Sequence, residues 1–358
     1  MTAADKIRVL VVDDSAVVRK LLSDALRREP DIEVVGAAAD PFMARDLILT
    51  HEPDVLTLDI EMPRMDGLSF LARIMQHRPM PVIIVSSLTK LGSTSSVEAL
   101  RLGAIDVIAK PGGPGSVGEI ADSIIRRIRM LRLAPVKLKT PTLSLMPAAP
   151  VAAALRLKAN GRHTRSLVLI GASTGGTQAI EALLTRLPPD MPPMLIVQHM
   201  PPVFTRTFAE RLDKVSPLTV LEAAGGETLQ TGHVYVAPGN YHMVVERHGL
   251  QLKIALKGGQ PLHFQRPAVD VLFQSAANLK GVPMVAAILT GMGSDGAEGL
   301  LALRRAGAET IAEDEHSCVV FGMPKEAIAL GAAVHVSTLL QMPTTLLECL
   351  DRLSTAAA

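Results

Sequence analysis

Tryptophan is absent from this 358-residue chain, and it holds only two tyrosines and seven phenylalanines. With aromatics at 3% against 48% apolar residues, any core has to be built from Ala, Val, Leu, Ile and Met. Aromatic platforms for stacking single-stranded bases are correspondingly missing. Cysteine is nearly absent as well: Cys318 and Cys349 alone exclude a disulfide framework and a cysteine-based zinc site. Neither sign of charge dominates, since 36 Lys+Arg face 35 Asp+Glu and leave +1. No basic field therefore advertises a nucleic-acid partner, and no acidic excess suggests disorder. No apolar run approaches the ~18 residues of a membrane span, and MTAADKIRVL lacks the charged-then-apolar profile of a signal peptide. A cytoplasmic protein without membrane insertion is expected.

What is present is chain enough for two domains of roughly 150 residues each, with a large apolar core in both. From Ile7 to about Leu133 five short runs, IRVLVV, IEVVGA, VLTLDI, VIIVSS and IDVIAK, alternate with amphipathic segments. Those segments cover about Ala16–Arg28, Pro41–His51, Gly67–His77, Thr94–Leu102 and Val117–Leu133. Val-rich runs without polar alternation are the pattern of parallel strands covered on both faces, and five strand–helix pairs predict a doubly wound α/β sheet over residues 1–133.

In such sheets reactive groups gather beyond the carboxyl ends of the strands. Asp13 and Asp14 end the first run, Asp59 the third, Ser86 the fourth and Lys110 the fifth. Three carboxylates held close repel one another unless a hard cation neutralises them, and Mg²⁺ favours this oxygen set. An Asp carboxylate beside Mg²⁺ is a suitable phosphoryl acceptor, with Lys110 supplying a positive charge and Ser86 a hydrogen-bond donor. Any one of these aspartates alone reads better as a helix N-cap; all five residues together, at four strand ends, do not. VVDDSAVVRK, LTLDIEMPRMDGLSF, VSS and AKP together resemble response-regulator receiver domains over essentially residues 6–130. The resemblance implies a flavodoxin-like receiver in which Asp59 is phosphorylated. It further implies that Asp13, Asp14, Asp59 and the Glu61 carbonyl hold Mg²⁺, and that Ser86 and Lys110 sense the phosphoryl group. Val107 departs from the pattern, because the position three before the lysine is often a Phe or Tyr that switches rotamer.

Residues 134–164 change character. Pro135, Pro141, Pro147 and Pro150 stand among alanines with Lys and Arg but no acidic residue, which reads as an extended basic linker. A second α/β pattern fills residues 165–353. SLVLIGA, MLIVQHM, VPMVAAILTG and ETIAEDE read as strands, with helices from about Gly296 and Pro324 and a helical tail from Ser337. VYVAPGNYHMVVERHGLQLKIAL reads as antiparallel hairpins inserted in a Rossmann-like, mainly parallel sheet.

GASTGG, Gly171–Gly176, follows a strand and opens a helix. As a phosphate cradle it lacks the second glycine of G-x-G-x-x-G and the Lys-Ser/Thr pair of a P-loop. As G-x-S-x-G it fits a nucleophile turn: small neighbours permit a sharp bend, and the helix N-terminus offers N–H groups to an oxyanion. A lone G-x-S-x-G is weak, and a serine there is more often an N-cap. His199 just past the next run and Asp295 just past a later one alter the balance, since parallel neighbours would bring serine, imidazole and carboxylate to one rim. The remaining histidines, His233, His242, His248 and His263 among them, show no metal spacing and are assigned to structure. GASTGG, QHMP, VYVAPGNYHM, FQRPAVDVLF, LTGMGSDGAEGL and SCVVFGMPKEA together resemble the catalytic domain of chemotaxis protein-glutamate methylesterases, the CheB family. The resemblance implies Ser173 as nucleophile, His199 as base, Asp295 as orienting acid, and N–H groups at Met292 and Thr174 for the oxyanion. It implies no cofactor for the esterase step. The implied activity is a phosphorylation-regulated serine hydrolase that demethylates glutamate methyl esters and deamidates certain glutamines. The implied partners are methylated chemoreceptor cytoplasmic helices and a chemotaxis histidine kinase. A DNA-binding regulator would instead show a short basic helix-turn-helix, and a nucleotide-binding oxidoreductase an acidic ribose ligand ~20 residues after GASTGG, where Asp190 is only marginal.

Overall fold

The computed structural model describes residues 6–86, 90–110, 117–133 and 166–356, and the linker expected over 134–164 lies outside them. The chain divides into two compact units, Met1–Ser144 and Leu145–Ala358.

The first unit runs β1 (Ile7–Val12), α1 (Ala16–Arg27), β2 (Ile32–Ala38), α2 (Pro41–His51), β3 (Val55–Asp59), α3 (Gly67–His77), β4 (Val82–Ser86), α4 (Lys90–Leu102), β5 (Asp106–Ala109) and α5 (Val117–Leu133). The strands pair in parallel in the order β2-β1-β3-β4-β5. Helices cover both faces, and β3 and β4 are buried at every residue as their unbroken apolar runs require. Short polar side chains start the first three helices. Ser15 accepts from the Val18 N–H, Asp40 from Phe42 and Met43, and Asp66 from Ser69. The chain passes from β2 back across β1 to β3, so the crevice of this sheet opens beyond the carboxyl ends of β1 and β3.

The second unit runs β6 (Leu167–Ala172), α6 (Gly176–Leu184), β7 (Met194–Gln198), α7 (Phe204–Val215), β8 (Thr219–Glu222), β9 (His233–Val236), β10 (His242–His248), β11 (Gln251–Lys257), α8 (Val269–Ala277), β12 (Met284–Ile288), α9 (Ala297–Arg305), β13 (Glu309–Glu313), α10 (Met323–Ala329), β14 (His335–Ser337) and α11 (Met342–Ala356). Seven strands form an all-parallel sheet ordered β14-β13-β12-β6-β7-β9-β8. The inserted hairpin needs one correction of detail. VYV is a parallel strand of the large sheet, β9, and only β10 and β11 form an antiparallel pair, separate from that sheet. Burial explains the difference: Val234, Tyr235 and Val236 are enclosed on both sides, whereas β10 and β11 bury one face. That face, with Met243, Val245 and Ile254, joins Leu272 and Phe273 of α8 in the core. The short strands β8 and β14 were not anticipated, and β14 takes the start of the expected helical tail. The switch of direction falls at β6, which has β7 on one side and β12 on the other.

Candidate active site

Ser173 follows β6 directly, and the chain turns sharply there into α6 through Gly175 at φ +78°. Neither glycine of the turn tolerates a side chain. A Cβ on Gly175 would lie 2.6 Å from Val319 Cβ, and one on Gly176 would lie 2.2 Å from Gln198 Oε1. The turn is held from both neighbouring strands. The Ser173 N–H donates to the Thr290 carbonyl at 3.1 Å, and the Ser173 carbonyl accepts from Gln198 Nε2 at 2.9 Å.

Register brings the histidine alongside. Ala172 pairs with Gln198, so Ser173 and His199 leave adjacent strands side by side, and the His199 N–H donates to the Ala172 carbonyl at 3.1 Å. His199 Nε2 lies 2.7 Å from Asp295 Oδ2, both residues being buried. Asp295 also accepts from the N–H groups of Val269 at 2.7 Å and Asp270 at 2.9 Å, at the start of α8. Burial alone would raise the Asp295 pKa. The hydrogen bond from His199 and the two backbone N–H groups outweigh it and hold the carboxyl below its ordinary value. An ionised Asp295 can only accept, which assigns the imidazole proton to Nε2 and leaves Nδ1 bare. Nδ1 is buried and has no hydrogen-bond partner. An oriented imidazole with one bare nitrogen is what a general base next to a hydroxyl nucleophile requires.

Thr174 and Met292 are both buried, and neither N–H donates to an acceptor among the described residues. Unspent donors are the raw material of an oxyanion site. The loops carrying them are fastened by residues the sequence reading passed over. Thr290 Oγ1 donates to the Thr174 carbonyl at 2.9 Å and accepts from the Val320 N–H at 2.9 Å. The Thr290 N–H donates to Glu313 Oε2 at 2.8 Å, and Glu313 is fully buried. Asp270, also missed, accepts from the Gly299 N–H at 2.6 Å and lies 3.0 Å from His263 Nε2. Asp295 thus caps α8 while Asp270, on α8, caps α9. Burial, backed by the Asp295 charge, raises the Asp270 pKa despite its N–H partner. The only signal for Asp270 and Glu313 was a carboxylate inside an apolar context, PAVDVLF and ETIAE.

The other rim lies on the first sheet. Asp13 and Asp14 follow β1, Asp59 ends β3, Ser86 ends β4 and Lys110 follows β5. Lys110 Nζ reaches Asp59 Oδ2 at 2.7 Å and Asp13 Oδ2 at 3.0 Å. Oxygens of Asp13, Asp14 and Asp59 lie within 4.8 Å of one another. The Glu61 N–H donates to Asp59 Oδ1 at 3.3 Å, and the Ser86 carbonyl accepts from the Lys110 N–H at 2.6 Å. Burial pushes Asp59 from 3.8 to about 6, with the Asp13 charge adding to it and Lys110 opposing. Asp13 is raised as well, by burial against the pull of Lys110. Burial would lower Lys110, but its two carboxylate partners raise it above its ordinary value. Val107 is buried in β5, paired with Ile84 of β4.

Comparison with known proteins first gives the class, a receiver joined to an esterase-type domain: residues 9–121 match the response regulator receiver domain and residues 168–346 match CheB methylesterase. The protein-glutamate methylesterase/protein-glutamine glutaminase 2 of Syntrophus aciditrophicus is 49% identical over 93% of this chain and 97% of its own. The corresponding protein of Bordetella parapertussis is 52% identical over 93% of this chain and 94% of its own. The crystal structure of the Thermotoga maritima CheB methylesterase catalytic domain shares 41% identity at a TM-score of 0.50, covering 51% of this chain and 97% of that one. The chain belongs to the CheB family of receiver-linked methylesterases.

Proposed function

We propose that this protein is a phosphorylation-regulated protein-glutamate methylesterase and protein-glutamine glutaminase acting in chemotaxis-type adaptation, with Ser173, His199 and Asp295 as its catalytic residues. The observation that carries the reading is the buried His199–Asp295 pair with Nδ1 left bare, on the strand next to the one that ends at Ser173.

The chemistry is acyl transfer. Ser173 Oγ attacks the γ-carbonyl carbon of a glutamate methyl ester while its proton passes to His199 Nδ1. Asp295 stabilises the imidazolium so formed. The N–H groups of Thr174 and Met292 receive the developing oxyanion. Collapse breaks the bond to methoxide, which leaves as methanol with the proton from His199. Water, deprotonated by the same imidazole, then attacks the acyl-enzyme and frees Ser173 and a glutamate carboxylate. On a glutamine side chain the same sequence expels ammonia. Either way a neutral side chain becomes an anion, so the output is an electrostatic change on a receptor helix. This step needs no cofactor.

The receiver domain implies phosphorylation as the control. In our reading Asp59 is the acceptor: its carboxylate oxygen forms a bond to phosphorus as the bond to the phosphohistidine of a chemotaxis kinase breaks. The clustered oxygens of Asp13, Asp14 and Asp59 fit a hard divalent cation, so these residues, with the Glu61 carbonyl, would hold Mg²⁺. Bound there, the ion neutralises phosphoryl oxygens. Lys110 and Ser86 are placed to meet the transferred group and pass on its presence. Substrates are methylated chemoreceptor cytoplasmic helices, met in the cytoplasm. No described helix is long and apolar enough to cross a membrane. A fluorophosphonate probe tests the nucleophile: it should label the native chain and leave Ser173→Ala protein unlabelled. Equal labelling of both would contradict the assignment.

A further inference from the structure

Three metal-ligating side chains from distant parts of the chain meet at the edge of the large sheet. Glu309 opens β13, His335 opens β14, and Cys349 lies on α11. A carboxylate oxygen of Glu309, a ring nitrogen of His335 and Cys349 Sγ all fall within 4.8 Å of one another. The parallel strands begin here, so the cluster lies at the end of the sheet opposite the rim that carries Ser173, His199 and Asp295. Acyl transfer makes no use of it.

At the centre of the cluster is one nitrogen of Arg352, which follows Cys349 by three residues on α11. Arg352 Nη2 lies 2.9 Å from Cys349 Sγ, 3.0 Å from His335 Nε2 and 3.5 Å from Glu309 Oε2. That is three partners for an atom with two hydrogens. His335 Nε2 is overcommitted as well, since it also lies 2.6 Å from Glu309 Oε2. One ring nitrogen donates to the carboxylate or accepts from the guanidinium, never both. Either tautomer therefore leaves one close contact unfavourable. A cation without fixed bond directions removes the conflict, because all three donor atoms can face it at once.

The donor set also chooses the cation. Thiolate, imidazole and carboxylate together favour Zn²⁺, whereas an all-oxygen set suits Mg²⁺. Two cysteines are too few for a zinc site built on thiols, but a mixed site needs only one, and here the fold assembles it without any motif spacing. Tetrahedral zinc, with bonds of ~2.0–2.3 Å, sets its donors ~3.4 Å apart, so the His335–Glu309 pair opens by only ~0.8 Å. The Arg352 side chain is 46% exposed and can turn to water.

We propose that Glu309, His335 and Cys349 form a Zn²⁺ site in which Arg352 stands where the metal binds. The ion displaces the guanidinium, Cys349 binds as thiolate with its proton passing to solvent, and water takes the fourth position. Bound zinc clips α11 to β13 and to β14, the three-residue strand at the edge of the sheet. This binding is independent of the ester chemistry.

The test uses the full-length chain, stripped with EDTA and titrated with Zn²⁺ alone or with Co²⁺ as a coloured substitute. Cobalt bound to sulfur gives a thiolate charge-transfer band that the carboxylates of the receiver and of the catalytic rim cannot produce. The native chain should develop this band and lose it on addition of Zn²⁺, and Zn²⁺ should raise the thermal midpoint of the catalytic unit. Cys318→Ser should keep the band and Cys349→Ser should lose it. His335→Gln, at a part-buried position that accepts a polar side chain, should weaken Zn²⁺ at least about 100-fold, the upper range for a partner outside the ligand shell. Arg352→Ala separates a zinc site from an ordinary ion-pair network. The ion no longer has to displace a charged hydrogen-bond donor, so Zn²⁺ should bind about tenfold more tightly. A native chain without the thiolate–cobalt band would overturn the proposal. So would a band that survives Cys349→Ser, or a Zn²⁺ affinity unmoved by His335→Gln. Zinc binding no tighter in Arg352→Ala would overturn it as well, by showing that the guanidinium does not occupy the metal position.

Discussion

Replacing Asp295 by Asn removes one charge and one acceptor while keeping the shape of the side chain. Asp295 Oδ1 serves the Asp270 N–H, and Oδ2 serves both the Val269 N–H and His199 Nε2. In Asp295→Asn the amide oxygen can keep one of these partners, and the NH₂ group then faces donors. The imidazole adapts by accepting from that NH₂ at Nε2 and moving its proton to Nδ1. The nitrogen that should take the Ser173 proton is now occupied, and no anion stabilises the imidazolium. By the measured effect of the same change in serine proteases, kcat should fall by roughly 10⁴-fold. At 1.36 kcal/mol per tenfold that is ~5.4 kcal/mol of transition-state stabilisation. Stability should fall less, by about 1–3 kcal/mol, the cost of leaving the buried Val269 N–H without an acceptor. Asp270→Asn is the matched control. That carboxyl is also buried and already inclined toward its neutral form, so kcat should drop by less than about tenfold. Steady-state methanol release and denaturant melts on both variants provide the readings. A folded Asp295→Asn protein within tenfold of native kcat would refute the tautomer argument.

The receiver should show a pH signature. Because Asp59 holds its proton more tightly when folded, its own contribution to stability is most favourable below 3.8 and is lost as pH rises through about 6. At 1.36 kcal/mol per pH unit the loss is bounded near ~3 kcal/mol. In metal-free buffer Asp59→Asn should therefore raise the denaturation midpoint at pH 8 and give no advantage below pH 4; no gain at pH 8 would contradict the burial argument. Gly291→Ala removes no catalytic group, yet its Cβ would stand 2.9 Å from Ser173 Cβ and 2.3 Å from Met323 Sδ. Displacement of the nucleophile should cost roughly 10²-fold in kcat, measurable as methanol release, and near-native turnover would show that the turn can give way.

Much of this was legible in the sequence because parallel strands buried on both faces are written as unbroken Val, Ile and Leu runs. Their carboxyl ends share a rim, so Asp13, Asp59 and Lys110, and likewise Ser173 and His199, were placed by counting strand ends. What escaped has two physical sources. The strands β8 and β14 are short and lie at the sheet edges, with too few buried positions to print a period, and β9 is followed so closely by β10 that its run read as one arm of a hairpin. Thr290 ties the loop after β12 to the turn after β6, Glu313 of β13 holds Thr290, and Asp270 ties α8 to α9. Partners of that kind are set by tertiary structure, and the sequence shows only a polar residue in an apolar stretch.

Methanol release from methylated chemoreceptor membranes, with and without acetyl phosphate and Mg²⁺, addresses the central claim most directly. Release by the native chain should rise with the phosphodonor, fail to rise in Asp59→Ala, and vanish in Ser173→Ala. Undiminished release by the Ser173→Ala protein would contradict it.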